Sequence, residues 1–204
     1  MEGPEINRGR ATYIEYHPFF RCCIDAIERL ENYEIKLREL ESKESVSDEI
    51  EDIRNKLHMQ EVSAPVFAIN TAEHFINLYA CNRIDSFYTS EHLESLDIFS
   101  KWIAIPYIIC GEEIDRESQS AKDFKHLISL RNSLTHAKPS YIYFDNPETI
   151  EKRYNRLDAK KKDRRTMAKR SANIVLGMFS ELKNIDPSEE LEDLMKELGI
   201  WSTI

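Results

Sequence analysis

At 204 residues and 24.0 kDa the chain is one domain, or one domain with helical extensions. Five glycines leave little material for the tight turns of a sandwich or barrel and none for a phosphate-cradling glycine loop, while 41% hydrophobic residues exclude a disordered chain. A net charge of -9, from 28 basic and 37 acidic residues, excludes a general nucleic-acid coater and disfavours a membrane-surface binder, since both depend on many cations.

The segments in chain order read as helices. Residues 1–15 form a loose leader without the basic start and apolar stretch of a secretory signal. From Ile14 to Lys43, Phe20, Cys23, Ile27, Leu30 and Leu37 recur at steps of three and four, the seam of a long amphipathic helix. A break at Ser45 to Asp48 and a charged helix over Glu49 to Gln60 complete an expected hairpin. Ser63 to Tyr88 is apolar on nearly every side, as a central helix should be, yet Asn70, Glu73 and Asn77 make one polar stripe along it. Leu93 to Cys110 is a second apolar helix, in which Pro106 should kink or restart the helix. Its uncharged part, Trp102 to Cys110, is half the length of a bilayer span.

Ser118 to Ser120 offers N-caps for the next helix, with Asp123 a capping-box partner of Ser120. Phe124, Leu127, Ile128 and Leu134 form its buried face and Pro139 stops it. SYIYFDNP is the one strand-like run, too short to define a sheet. Helices over Glu148 to Lys183 and Ser188 to Leu198 finish the chain. The expected fold is an all-α bundle with a long N-terminal helical hairpin and C-terminal helices. Its division is 1–60 leader and hairpin, 61–140 core, and 141–204 basic loop and closing helices packed on that core.

LISLRNSLTHAKPS is the segment that carries chemistry. Counted in helical steps from Phe124, Arg131 falls where the pattern asks for an aliphatic side chain. A buried guanidinium without a partner costs several kcal/mol, on the order of breaking a buried pair, so it requires a counter-charge or a wet groove. Glu73, on the polar stripe of the central helix, is the candidate counter-charge. Asn132 and His136 are four apart, on one face, so the Asn132 amide can orient the imidazole. The plain alternative stays open, because Arg and His near a helix C-terminus also follow from the helix dipole alone.

Arg131-Asn132-Ser133-Leu134-Thr135-His136, between apolar residues and Ala137-Lys138-Pro139, resembles the Arg-(four to six residues)-His motif of HEPN domains. EHFINLYA, Glu73 to Ala80, is similar to the upstream helix of that superfamily, and KWIAIPYIICGEEI resembles its bacterial members. The resemblance covers residues 62–140. It implies a HEPN-type bundle and a metal-independent RNA endonuclease, commonly a homodimer whose two motifs line one cleft. The setting it implies is phage defence or a toxin–antitoxin pair with a cognate antitoxin or regulatory protein. Arg131 and His136 would be catalytic, Asn132 supporting, and Glu73 the acidic residue of the upstream helix. A non-catalytic HEPN module for RNA or protein binding is the alternative.

The chemistry is coherent with that implication. Metal-free RNA cleavage uses the 2′-hydroxyl as nucleophile, so the protein must move protons and neutralise charge on the phosphorane. An imidazole suits the first task and a fork-shaped guanidinium the second. One His cannot readily be base and acid in a single in-line displacement, which two copies of His136 across a two-fold axis would resolve.

From Lys152 to Arg170 ten Lys or Arg stand against Asp158 and Asp163, a net of +8 that leaves -17 on the rest of the chain. Such a run is either a solvated helix face or a local phosphate rail, and Lys138, Lys160, Lys161, Lys162, Arg164 and Arg165 are the candidate RNA contacts. Tyr141, Tyr143 and Phe144 are candidate base-stacking residues or loop packing. No cofactor is expected. The remaining histidines have no ligand spacing, so no metal site is expected either. Cys22, Cys23, Cys81 and Cys110 show no C-x-x-C pairing and read as reduced thiols of a cytoplasmic protein.

Overall fold

The computed structural model describes residues 18–43, 47–84, 88–136 and 147–197. Among them are six α-helices: α1 (Phe19–Ser42), α2 (Ser47–Arg83), α3 (Ile98–Cys110), α4 (Gln119–Thr135), α5 (Pro147–Ile185) and α6 (Glu189–Glu197), with one π turn at Thr89–Leu93 ahead of α3. The fold is an all-α bundle, without strands among the described residues. The run SYIYFDNP lies, apart from Pro147, outside them.

The α1–α2 hairpin forms as the seam requires. Phe20, Cys23, Ala26 and Leu30 are buried on α1, and the next seam position is occupied by Glu34, also buried. The second arm differs from expectation. Residues 49–60 and 63–83 are one continuous helix, so the expected boundary at 60/61 falls inside α2. Pro65 is tolerated within it, although it removes the N–H that would bond the Glu61 carbonyl. Burial of the surrounding turns, Ala64, Ala68 and Ile69, holds the helix through that missing bond.

α2 is the central element, in contact with α1, α3, α4 and α5. At its middle Phe75 packs against Phe179 (ring centroids 4.5 Å) and Trp102 (5.9 Å), and Trp102 meets Phe124 at 5.8 Å. Four helices therefore share one aromatic cluster. The Trp102 indole N–H donates to the Ala72 carbonyl at 3.2 Å, so its polar edge is satisfied inside the core.

Local signals set the helix ends. Asp97 caps α3, accepting from the Ser100 N–H at 3.1 Å, and Gly111 ends it at φ 78°, a conformation that favours glycine. The Ser100 hydroxyl and backbone amides hold the Asp97 carboxyl below its ordinary range. Pro106 neither ends nor restarts α3, which continues to Cys110. Ser118, not Ser120, caps α4 through the Ala121 N–H. Asp123 forms no capping box; its carboxylate takes Gln119 and Arg170 instead. Ser120 faces Gly177, where a Cβ would meet the Ser120 hydroxyl oxygen at 3.2 Å, so glycine there lets α5 approach α4 closely.

Candidate active site and nucleic-acid interface

The α2 stripe and α4 bring together two of the four candidate catalytic residues. Arg131 Nη2 lies 3.6 Å from Glu73 Oε2, with the Arg131 side chain 21% and the Glu73 side chain 41% exposed. This is an ion pair longer than a hydrogen bond. The Arg131 Nε–H is enclosed by protein and meets no acceptor among the described residues. The guanidinium thus sits at the edge of the bundle, oriented by a carboxylate but not saturated by it.

His136 is the C-cap of α4, its backbone N–H bonded to the Asn132 carbonyl at 3.0 Å. The expected Asn132–imidazole hydrogen bond is absent. Both side chains are exposed, and neither makes a hydrogen bond or ion pair among the described residues. Five residues of helix also turn Arg131 and His136 about 140° apart. Arg131 faces α2, whereas His136 continues a stripe with His126, Ser129 and Ser133, at steps of three and four. The helix ends at Thr135, before Pro139, which with Lys138, Tyr141, Tyr143 and Phe144 lies outside the described residues.

The basic helix α5 divides along its length into an open stretch and a paired one. Lys160, Lys161 and Lys162 are exposed and make no ion pair among the described residues. Arg164 and Arg165 turn inward. Glu61, buried, accepts from Arg164 Nε at 3.0 Å and Arg165 Nε at 2.6 Å, and Glu34 accepts from Lys169 Nζ at 2.5 Å. Their placement differs from that expected of an open rail, because two buried carboxylates on α1 and α2 need cations to offset their desolvation. The signal was present in the sequence, since Glu34 stands at a seam position of α1.

One residue near the α2 stripe was missed. Lys101, buried on α3, donates to the Asn77 amide oxygen at 3.0 Å, one turn along α2 from Glu73. Its signal was being the single charged residue of an otherwise apolar or hydroxylic helix. The stripe therefore meets two cations, Arg131 at Glu73 and Lys101 at Asn77.

Among the described residues, no group of three His, Cys, Asp or Glu side chains is arranged to hold a metal ion, and no helix is long and apolar enough to cross a membrane. All four cysteines are free thiols, and burial pushes Cys23 up to about 12. Fold and site together define an all-α bundle carrying a half-buried Arg–Glu pair and an exposed histidine at one helix end. No family model, curated protein or solved structure matches the chain.

Proposed function

We propose that the protein is a metal-independent RNA endonuclease of HEPN type, acting in the cytoplasm as a homodimer. The observation that carries the reading is Arg131: a guanidinium still 21% exposed, oriented by Glu73 at 3.6 Å, beyond hydrogen-bond distance. A guanidinium oriented by a carboxylate but not saturated by it keeps N–H donors for a phosphate oxygen.

In the proposed reaction the 2′-oxygen forms a bond to phosphorus while the bond to the 5′-oxygen breaks. The products are a 2′,3′-cyclic phosphate and a 5′-hydroxyl. His136 of one copy takes the 2′-hydroxyl proton and His136 of the other protonates the departing oxygen. Arg131 neutralises the charge gathered on the phosphorane. Both copies of His136 therefore meet in one cleft at the two-fold axis, with Arg131 of each copy beside it. A defence or toxin–antitoxin setting, with an antitoxin or regulatory protein as restraint, belongs to the same proposal.

The test is incubation of mixed RNA with wild type and His136→Ala in EDTA. Wild type is expected to cleave, leaving cyclic-phosphate ends, and His136→Ala to be about 10²–10⁴-fold slower. Uncut RNA with both proteins overturns the reading. The divergence of Arg131 and His136, with the unformed Asn132–His136 bond, favours a second reading, a non-catalytic RNA-binding module. Equal RNA binding by both proteins without cleavage is its signature.

A further inference from the structure

A cleft of about 570 Å³ opens between α2, α4 and α5, on the opposite side of α4 from the Arg131–Glu73 pair. Its volume lies within the range of small-ligand sites, about 300–1,000 Å³. Val62, Leu130 and Leu134 give it an apolar floor. Ser129 and Ser133 add two hydroxyls along one edge, and His58, His126, Lys160 and Arg164 stand around it with Asp163.

Most of the charges are matched. Arg164 pairs with Glu61 at 3.0 Å, and His126 Nε2 lies 3.1 Å from Asp163 Oδ2. His58 Nδ1 lies 3.6 Å from Glu61 Oε2. Lys160 is the cleft cation that makes no ion pair among the described residues. The Ser133 hydroxyl donates to the Leu130 carbonyl at 2.7 Å and keeps its lone pairs for an incoming donor. The Ser129 hydroxyl makes no hydrogen bond among the described residues.

The cleft also has a direction. Asp123–Arg170 and His126–Asp163 fix α4 and α5 as antiparallel neighbours. The stripe His126, Ser129, Ser133 runs along the cleft and its next member is His136. A chain lying in the cleft is therefore led to the His136 end of α4.

We propose that this cleft seats one nucleotide of single-stranded RNA, its base on Val62, Leu130 and Leu134 beside the His58 ring, its phosphate on Lys160. A base can enter a side cleft only when it is not paired in a duplex, and an apolar floor with an imidazole beside it accepts any base by its face. The lone-pair side of Ser133 and the free Ser129 hydroxyl suit the ribose 2′-hydroxyl, which distinguishes RNA from DNA. The inference rests on the RNA reading above, and supplies it with a strand class and an entry path.

The experiment is a fluorescence-anisotropy titration of a labelled single strand of about ten nucleotides, with matching DNA and duplex RNA beside it. The parent is His136→Ala, compared with the same protein carrying Lys160→Glu or Ser129→Trp, the latter to plug the cleft. Both added positions are exposed, and equal thermal melting confirms that folding is intact. Single-stranded RNA is expected to bind tighter than the other two, and each added substitution to weaken it about tenfold. Lys160→Glu should also lower the salt slope by about one. Unchanged affinity in both variants, duplex binding as tight as single-strand binding, or no binding by the parent overturns the proposal. Cleavage by wild type with cleft variants that bind normally removes the cleft and keeps the nuclease. Weakened binding in the variants of a protein that never cleaves keeps the cleft and removes the nuclease.

Discussion

Two carboxylate–guanidinium sites in this molecule differ in how completely they close. At the α1–α2–α5 junction, Glu34 and Glu61 are buried and met by Arg164, Arg165 and Lys169 at 2.5 to 3.0 Å. At the α2–α4 edge, Glu73 is 41% exposed and stands 3.6 Å from an Arg131 that retains an unmatched donor. Enclosed pairs tie helices together, because separating them strands a charge without water. A half-open pair contributes little to stability, since solvent already screens it, and leaves a cation able to interact with something else.

The sharpest way to break this comparison is the same substitution in both places. Glu61→Ala leaves two cations facing an emptied buried site and should cost about 3–5 kcal/mol of unfolding free energy in a urea titration. Glu73→Ala should cost under about 1 kcal/mol in the same titration, yet lower RNA cleavage by loosening Arg131. If Glu73→Ala destabilises the fold as much as Glu61→Ala, the α2–α4 pair is a second clamp and the distinction collapses.

An effect smaller than that of Glu61→Ala comes from a fourth carboxylate, Asp186, at the junction of α5 and α6. Burial alone would raise its carboxyl, but hydrogen bonds donated by Tyr79 (2.6 Å) and Ser188, with the Arg83 charge, overcome this and hold it below the ordinary range. A depressed folded value contributes stability that is present above the unfolded value of about 4 and is lost as pH falls through the folded one. Tyr79→Phe should therefore lower stability by about 1–2 kcal/mol at pH 7 and shrink the loss below about pH 4. A stability–pH curve merely displaced downward, with its acid limb unaltered, would show that the tyrosine does not set that carboxyl.

The helices were legible because periodicity is a local property. The α1 seam, the apolar α2 and the Ser118 cap all follow from residues within a few turns of one another. Arg131 and Glu73 were also legible, since a cation on an inward stripe demands an acid from some facing stripe. Pro106 does not restart its helix as expected, because tertiary burial outweighs one lost hydrogen bond. The inward turn of Arg164 and Arg165 was hidden in a run of like charges, where nothing local says which members face Glu61. The cleft was hidden more deeply still. His58, His126 and Lys160 belong to three helices, and only their packing sets them around one space.

The central claim, an RNA site shared between copies, is tested most directly by mixing chains. Wild type and His136→Ala are unfolded, mixed in equal amounts, refolded together and assayed on RNA in EDTA. Because both histidines serve one cleavage, only the quarter of dimers with two intact chains cut, giving about a quarter of the rate of the same total of wild type. Half of that rate would put a complete site in each chain and contradict the account.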